Sequence, residues 1–148
     1  VCFLIFGAIF INWKITEGNM NQAFENNMKR LGFVKEKQIY VLEKDDISYH
    51  LPNQKLPFLK KDFYVKNSYA DLIINDTEIS ISIYDGSEFN MKLNHYRGIE
   101  GIINKEGEFL AEENSLNEKE KIFYEENKEI IERTMRELLS IHMSVYSK

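Results

Sequence analysis

Residues 78–94, EISISIYDGSEFNMKLN, decide the fold. Ile79, Ile81 and Ile83 alternate with polar residues, and Phe89, Met91 and Leu93 repeat the pattern after Asp85-Gly86-Ser87. Alternation places successive side chains on opposite faces of a strand, so each half reads as a strand with one apolar side. Loop length then fixes the register. A two-residue loop at Asp85-Gly86 sets Ile83 opposite Glu88 and mixes charge into the apolar face. A three-residue loop pairs Ile83 with Phe89, Ile81 with Met91 and Ile79 with Leu93, and only this choice yields one continuous apolar face. The other face then carries Ser80, Ser82, Tyr84, Glu88, Asn90, Lys92 and Asn94. Small polar groups, amides, a tyrosine and both charge signs suit either a surface that recognises another protein or a simple solvated sheet face.

Working outward, GIINKEGEFL (101–110) predicts a further hairpin with Lys105-Glu106-Gly107 as its loop, Gly107 at positive φ and Ile103 opposite Phe109. On the other side, Ile39 and Val41, then Ile47, Tyr49 and Leu51, flank the turn-rich EKDD and predict another hairpin. Pro52 and Pro57 bracket an irregular loop, because proline cannot donate to a ladder. Short strands are expected around 62–65 and 70–74. Residues 19–31 read as a helix with Asn19 as N-cap and Met20, Ala23, Phe24, Met28 and Leu31 on one face. Gly32 ends it, with Phe33 folding back on Met28.

The last third reads as one long helix. Ser115 and Glu118 form a capping box in S-L-N-E. Leu116, Phe123, Ile130, Ile131, Leu138, Ile141 and Val145 fall on one stripe, interrupted by Glu120, Asn127 and Thr134. Glu125, Glu129, Glu132, Arg133 and Arg136 lie opposite, with Glu129–Arg133 and Glu132–Arg136 as four-apart pairs. Running to Val145, such a helix spans roughly 45 Å, long enough to expect a kink or a protruding end. The fold class is therefore α+β: a curved, mainly antiparallel sheet packed against an N-terminal helix and a long C-terminal amphipathic helix.

The chain has 148 residues, 43% hydrophobic and 13% aromatic, which suits a single packed domain. Its start, VCFLIFGAIFI, is uncharged and is followed by Asn12, Trp13 and Lys14. That run is shorter than the roughly 20 residues of a membrane span. Residues 1–18 are read as a hydrophobic anchor-like segment, part of a truncated transmembrane helix with Trp13 at the interface, jointed at Gly18 to a domain over 19–148. The sole cysteine, Cys2, permits neither an intrachain disulfide nor a thiolate zinc cluster. The net charge of −5 argues against nucleic acid and favours a basic partner.

Motifs for chemistry are missing from the sequence. His50, His95 and His142 have no metal-ligand spacing, and His142, beside the apolar stripe, reads as structural. No serine sits in a nucleophile elbow, and the glycines of RGIEG lack the context of a phosphate loop. Asp45-Asp46 and Asp85-Gly86-Ser87 are explained by turn chemistry rather than calcium binding. The expectation is a binding protein with no catalytic residue, metal, cofactor or small-molecule substrate.

Three stretches, ISIYDGSEFNMKL (81–93), GIINKEGEF (101–109) and LNEKEKIFYEENKEIIERTMREL (116–138), together with the apolar leader, resemble the TipC-like immunity proteins of Gram-positive bacteria. The resemblance covers about the C-terminal half and the general layout. It implies a protein held at the cell membrane by a single N-terminal anchor, with its domain outside. There it would bind and occlude a secreted LXG-type toxin that attacks cell-wall precursor lipids. The sheet face from Ser80 to Asn94 would then be the partner-binding face. A membrane-tethered accessory or structural subunit of a secretion or cell-surface system is the alternative.

Overall fold

The computed structural model describes residues 2–53, 66–114 and 116–146. Eight antiparallel strands follow one another in an open sheet, each hydrogen-bonded to its neighbours in sequence. They are β1 (Val34–Glu36), β2 (Ile39–Lys44), β3 (Ile47–Pro52), β4 (Asn67–Ile74), β5 (Thr77–Tyr84), β6 (Glu88–Leu93), β7 (Tyr96–Ile103) and β8 (Phe109–Asn114). A helix precedes the sheet, α1 (Cys2–Arg30), and two follow it, α2 (Glu118–Glu126) and α3 (Lys128–Tyr146).

The central hairpin has the three-residue loop and the register that its alternation dictates: Ile83 faces Phe89, Ile81 faces Met91 and Ile79 faces Leu93. All six are buried. Ile103 likewise faces Phe109, with Gly107 at φ +81°. Three other hairpins turn on residue pairs that both adopt positive φ: Asp45-Asp46, Asn75-Asp76 and Asn94-His95. Two-residue loops of this kind match the twist of the strands, and Asn and Asp tolerate the left-handed region better than other side chains. The strand expected at 70–74 is the second half of β4, while the one expected at 62–65 and Pro57 lie outside the described residues.

The glycines of RGIEG have a structural role. Register slips between Met91 and Lys92, where Gly98 is the extra residue of β7, and again between Glu100 and Gly101, where Glu112 is the extra residue of β8. A Cβ at Gly98 would sit 2.5 Å from the Met91 carbonyl oxygen, and one at Gly101 would sit 2.1 Å from that of Leu110. Bulges bend a sheet and raise its twist. Here Gly98 in β7 and Gly101 opposite the β8 bulge let the two strands curl without a backbone clash.

The core lies on one face of the sheet. The α3 helix buries Ile131, Thr134, Met135, Leu138, His142, Val145 and Tyr146 against it. Polar contacts fix the helix in place. Glu137 accepts from the Tyr49 hydroxyl at 3.1 Å and pairs with Lys44. The Tyr146 hydroxyl donates to the Asn67 carbonyl at 3.0 Å. Thr134, fully buried, donates its hydroxyl to the Ile130 carbonyl at 2.8 Å, so its place in the stripe costs no unpaired group. Glu132 and Arg136 pair at 3.5 Å.

Three local expectations need correction. The C-terminal helix is divided at Asn127, whose amide folds back onto the Phe123 carbonyl. Its capping box is Asn117 with Glu120, two residues later than Ser115 with Glu118, because Asn117 accepts from the Glu120 N–H at 3.0 Å while Glu120 accepts from the Asn117 N–H. Glu118 is the first helical residue, and Ser115 lies outside the described residues. Finally, Gly18 is no joint, and Asn19 caps nothing. Helix α1 runs unbroken through both, roughly 44 Å in all, with only its last turns docked. Phe24 and Met28 are buried, Phe24 packs on Tyr40 and Tyr146, and the Asn27 amide donates to the Ser144 carbonyl. The helix nevertheless ends as its sequence implies, with Gly32 at φ +89° and the Phe33 N–H donating to the Met28 carbonyl. No helix among the described residues is long and apolar enough to cross a membrane.

His142 links the helix to the sheet: its Nδ1 lies 2.8 Å from the Ser68 hydroxyl, and both residues are sealed from solvent. Burial lowers its pKa to about 4, a shift that Lys66 reinforces and Asp85 opposes. Above pH 6.5 both native and unfolded chains hold the ring neutral. As pH falls from 6.5 towards 4, the unfolded chain takes up a proton that the native ring refuses, so stability is lost across that window. We expect a loss of about 3 kcal/mol. Urea titrations from pH 7 to pH 4 should show this slope, and His142→Gln should flatten it relative to wild type; identical slopes would contradict the assignment. In the same assay Gly101→Ala should cost about 2 kcal/mol or more, because backbone must move. Gly18→Ala, which meets nothing within 4 Å, should stabilise by roughly 0.5–1 kcal/mol.

Candidate functional site

Because the helices cover one face of the sheet, the other is left open among the described residues. Cross-strand register aligns its side chains in rows. One row runs Glu43, Ser48, Asp71, Ser80 and Lys92, ending opposite Arg97. The next runs Val41, His50, Tyr69, Ser82, Asn90 and Glu100. A third joins Asn67, Tyr84, Glu88, Ile102 and Leu110. At strand spacings of ~4.8 Å and ~3.4 Å per residue, eight strands of about six residues present a face of roughly 700 Å². That is close to the ~800 Å² each partner contributes to a standard interface.

Six of the seven residues singled out by sequence lie on this face: Ser80, Ser82, Tyr84, Glu88, Asn90 and Lys92. Asn94 does not sit on a strand. It occupies the β6–β7 turn at φ +46°, and its side-chain oxygen accepts from the Glu78 N–H at 3.0 Å. Turn geometry accounts for it. Residues from β3, β4 and β7 join the set: His50, Tyr69, Asp71 and Glu100. The alternation of ISYHLP and NSYADLII carries the signal for His50, Tyr69 and Asp71, but only the strand order brings them, with Glu100 of β7, beside the central hairpin.

The face is polar, largely acidic and internally bonded. His50 Nε2 lies 3.2 Å from an Asp71 oxygen. That bond raises the His50 pKa and holds the Asp71 carboxyl below its usual range, with the Ser80 hydroxyl assisting. The pair's contribution is complete between the ordinary carboxyl and histidine pKa values; it fades as pH rises through the raised histidine one or falls through the lowered carboxyl one. Asn90 donates to Glu100 at 2.7 Å, Asn67 donates to the Tyr69 hydroxyl at 2.8 Å, and the Ser48 hydroxyl bonds to Glu43. The side-chain oxygens of Asn90 and Asn67 are buried without a hydrogen-bond partner among the described residues. Such orphan acceptors cost stability until a donor reaches them. Two depressions mark the face. One of 640 Å³ is lined by Asp46, Ser48, Asp71, Glu78, Ser80 and His95; the other, of 290 Å³, by Tyr84, Glu88, Asn90, Glu100, Ile102 and Glu112.

The Ser68–His142 contact invites comparison with a hydrolase pair, but its geometry suits packing. Both side chains are closed to solvent, serine meets Nδ1, and Nε2 is buried without a partner among the described residues. A nucleophile must reach substrate, and its base needs an orienting group on the other nitrogen. No group of His, Cys, Asp and Glu among the described residues has the geometry to hold a metal ion.

The open, acidic face of the sheet is thus the candidate site, one suited to binding. No protein-family model, curated protein or solved structure matches the chain.

Proposed function

We propose that this protein is an immunity protein that binds a secreted antibacterial toxin and occludes its catalytic cleft. The observation that carries the reading is the uncovered polar face. It has close to the area of a protease–inhibitor interface and an excess of carboxylates over cations among the described side chains. The three stretches that resemble TipC-like proteins supply the kind of partner: an LXG-type toxin acting on cell-wall precursor lipids outside the membrane. Inhibition would need no chemistry from this chain. Carboxylates at Asp71, Glu88 and Glu100 would attract a basic surface, and the central row at Ser82 and Asn90 would be buried under it.

The start of α1 supports a membrane-proximal location. Phe3, Leu4, Phe6 and Ile11 are all more than half exposed, and Trp13 and Lys14 follow with the lysine over the indole ring. A helix that is apolar on all sides is solvated best by lipid or by other apolar helices. The same exposed turns would serve an accessory subunit of a cell-surface system, which is the second reading.

Replacing Ser82 and Asn90 together by arginine should weaken binding of a cognate LXG-type toxin, to be sought in the neighbouring reading frame, by about 100-fold or more. The unfolding midpoint should stay near wild type, since both side chains lie on the face away from the core. Calorimetry on the purified pair checks this, and unchanged affinity would remove the face from consideration. Stable co-purification with membrane subunits instead of a toxin would favour the accessory reading.

A further inference from the structure

The β8 strand is a free sheet edge beside an apolar groove. Among the described residues nothing pairs with its outer side. The hairpin bond from the Asn104 N–H to the Glu108 carbonyl sets the alternation along β8. Leu110 therefore bonds inward to β7, while Phe109 and Ala111 turn their N–H and C=O groups outward. Their side chains point to the helix side, where a cavity of 510 Å³ lies between the sheet and the helices. Phe89, Met91, Phe109, Tyr124 and Met135 supply its apolar lining. At its rim stand Glu106, Glu108 and Glu132, with Arg136 paired to Glu132. On the opposite side of β8, Leu110 and Glu112 are exposed beside Glu100.

We propose that β8 is a strand-addition site for an extended segment of a partner protein whose residues alternate apolar and basic. Main-chain bonds to Phe109 and Ala111 would extend the sheet by one strand. Each partner residue opposite Phe109 or Ala111 would drop its side chain into the apolar cavity, and Ala111, with its single methyl, leaves room there. The residues between would project to the open face, where Glu112 and Glu100 meet lysine or arginine. Charge selects the occupant. A second copy of β8 would bring Glu108 and Glu112 against their own kind, and Lys105 at the hairpin tip is too small an offset; a basic strand meets them favourably. The opposite edge offers little by comparison, since β1 is three residues long.

This inference does not depend on the partner being a toxin, and it goes beyond the open-face reading. The probe is a blocked peptide of about seven residues alternating lysine and valine, followed by amide chemical shifts of the full chain. Saturable shifts should centre on residues 109–112. Affinity should fall about tenfold or more with Ala111→Pro, which removes an outward donor and leaves the ladder bonds of Leu110 intact. A peptide N-methylated on its valines, the residues facing β8, should fail to bind wild-type protein, which tests the same bonds without altering the fold. A glutamate–valine peptide should not bind. Shifts elsewhere, or equal affinity for the N-methylated peptide, would overturn the proposal. So would concentration-dependent self-association that Ala111→Pro abolishes, since the edge would then serve a second copy of this chain.

Discussion

The apolar stripe of α3, from Ile131 to Val145, lies on the isoleucine face of β5 and its neighbours, and this contact determines which side of the sheet remains for function. Tyr49, Leu51, Ile79, Ile81, Ile83, Met91, Ile131 and Leu138 are all but fully buried. At roughly 2 kcal/mol each, they outweigh the polar contacts around them, each worth about 1 kcal/mol. The polar contacts have a different role. Glu137 on Tyr49, His142 on Ser68 and Tyr146 on Asn67 sit at successive turns of α3 and fix its rotation and register on the sheet. With α3 committed to that side, and α1 wedged beside it through Phe24 and Met28, the opposite side has no helix among the described residues to cover it.

How much of this was legible in the sequence follows from the physics of each element. The central hairpin was readable because an error of one residue would have turned isoleucines to water. The loops at Asp85 and Lys105 were readable for the same reason, joined to the positive φ that Gly107 admits. The break at Asn127 was half readable: the helix length implied a kink, but 3.6-residue periodicity continues from Phe123 to Ile130 and does not place it. The capping box was shifted because Ser115-Glu118 and Asn117-Glu120 overlap in SLNEKE, and only hydrogen-bond geometry separates them. The continuity of α1 through Gly18 was missed because glycine marks joints and also tolerates helix interiors. Gly98 and Gly101 gave no signal as residues at the bulges, since close approach of a neighbouring strand is a tertiary fact. The face itself was partly legible. Alternation in one hairpin gave Ser80 to Lys92, while His50, Asp71 and Glu100 required knowing the strand order.

Two kinds of surface emerge, and they differ in physical character. The open face is broad, acidic and held by its own hydrogen bonds, such as His50–Asp71 and Asn90–Glu100, which keep its side chains in place before any partner arrives. Preorganised groups lose little entropy on binding, which favours tight over adaptable contact. The β8 edge instead offers main-chain groups and a lined cavity, and would read the backbone of an extended segment. The two meet at Glu100 and Glu112, so one partner could engage both, its basic surface across the rows and a strand along the edge.

The central claim is that the helix-free face of the sheet meets the partner. Carbodiimide labelling of carboxylates, alone and with a bound toxin of the proposed class, tests it most directly. Glu88, Glu100 and Asp71 lie on the open face, and Glu125 and Glu129 lie on the exposed side of the helical layer. Protection of the first group with continued labelling of the second is the predicted result. Protection of Glu125 and Glu129, with Glu88 and Glu100 labelled as freely as before, would contradict it.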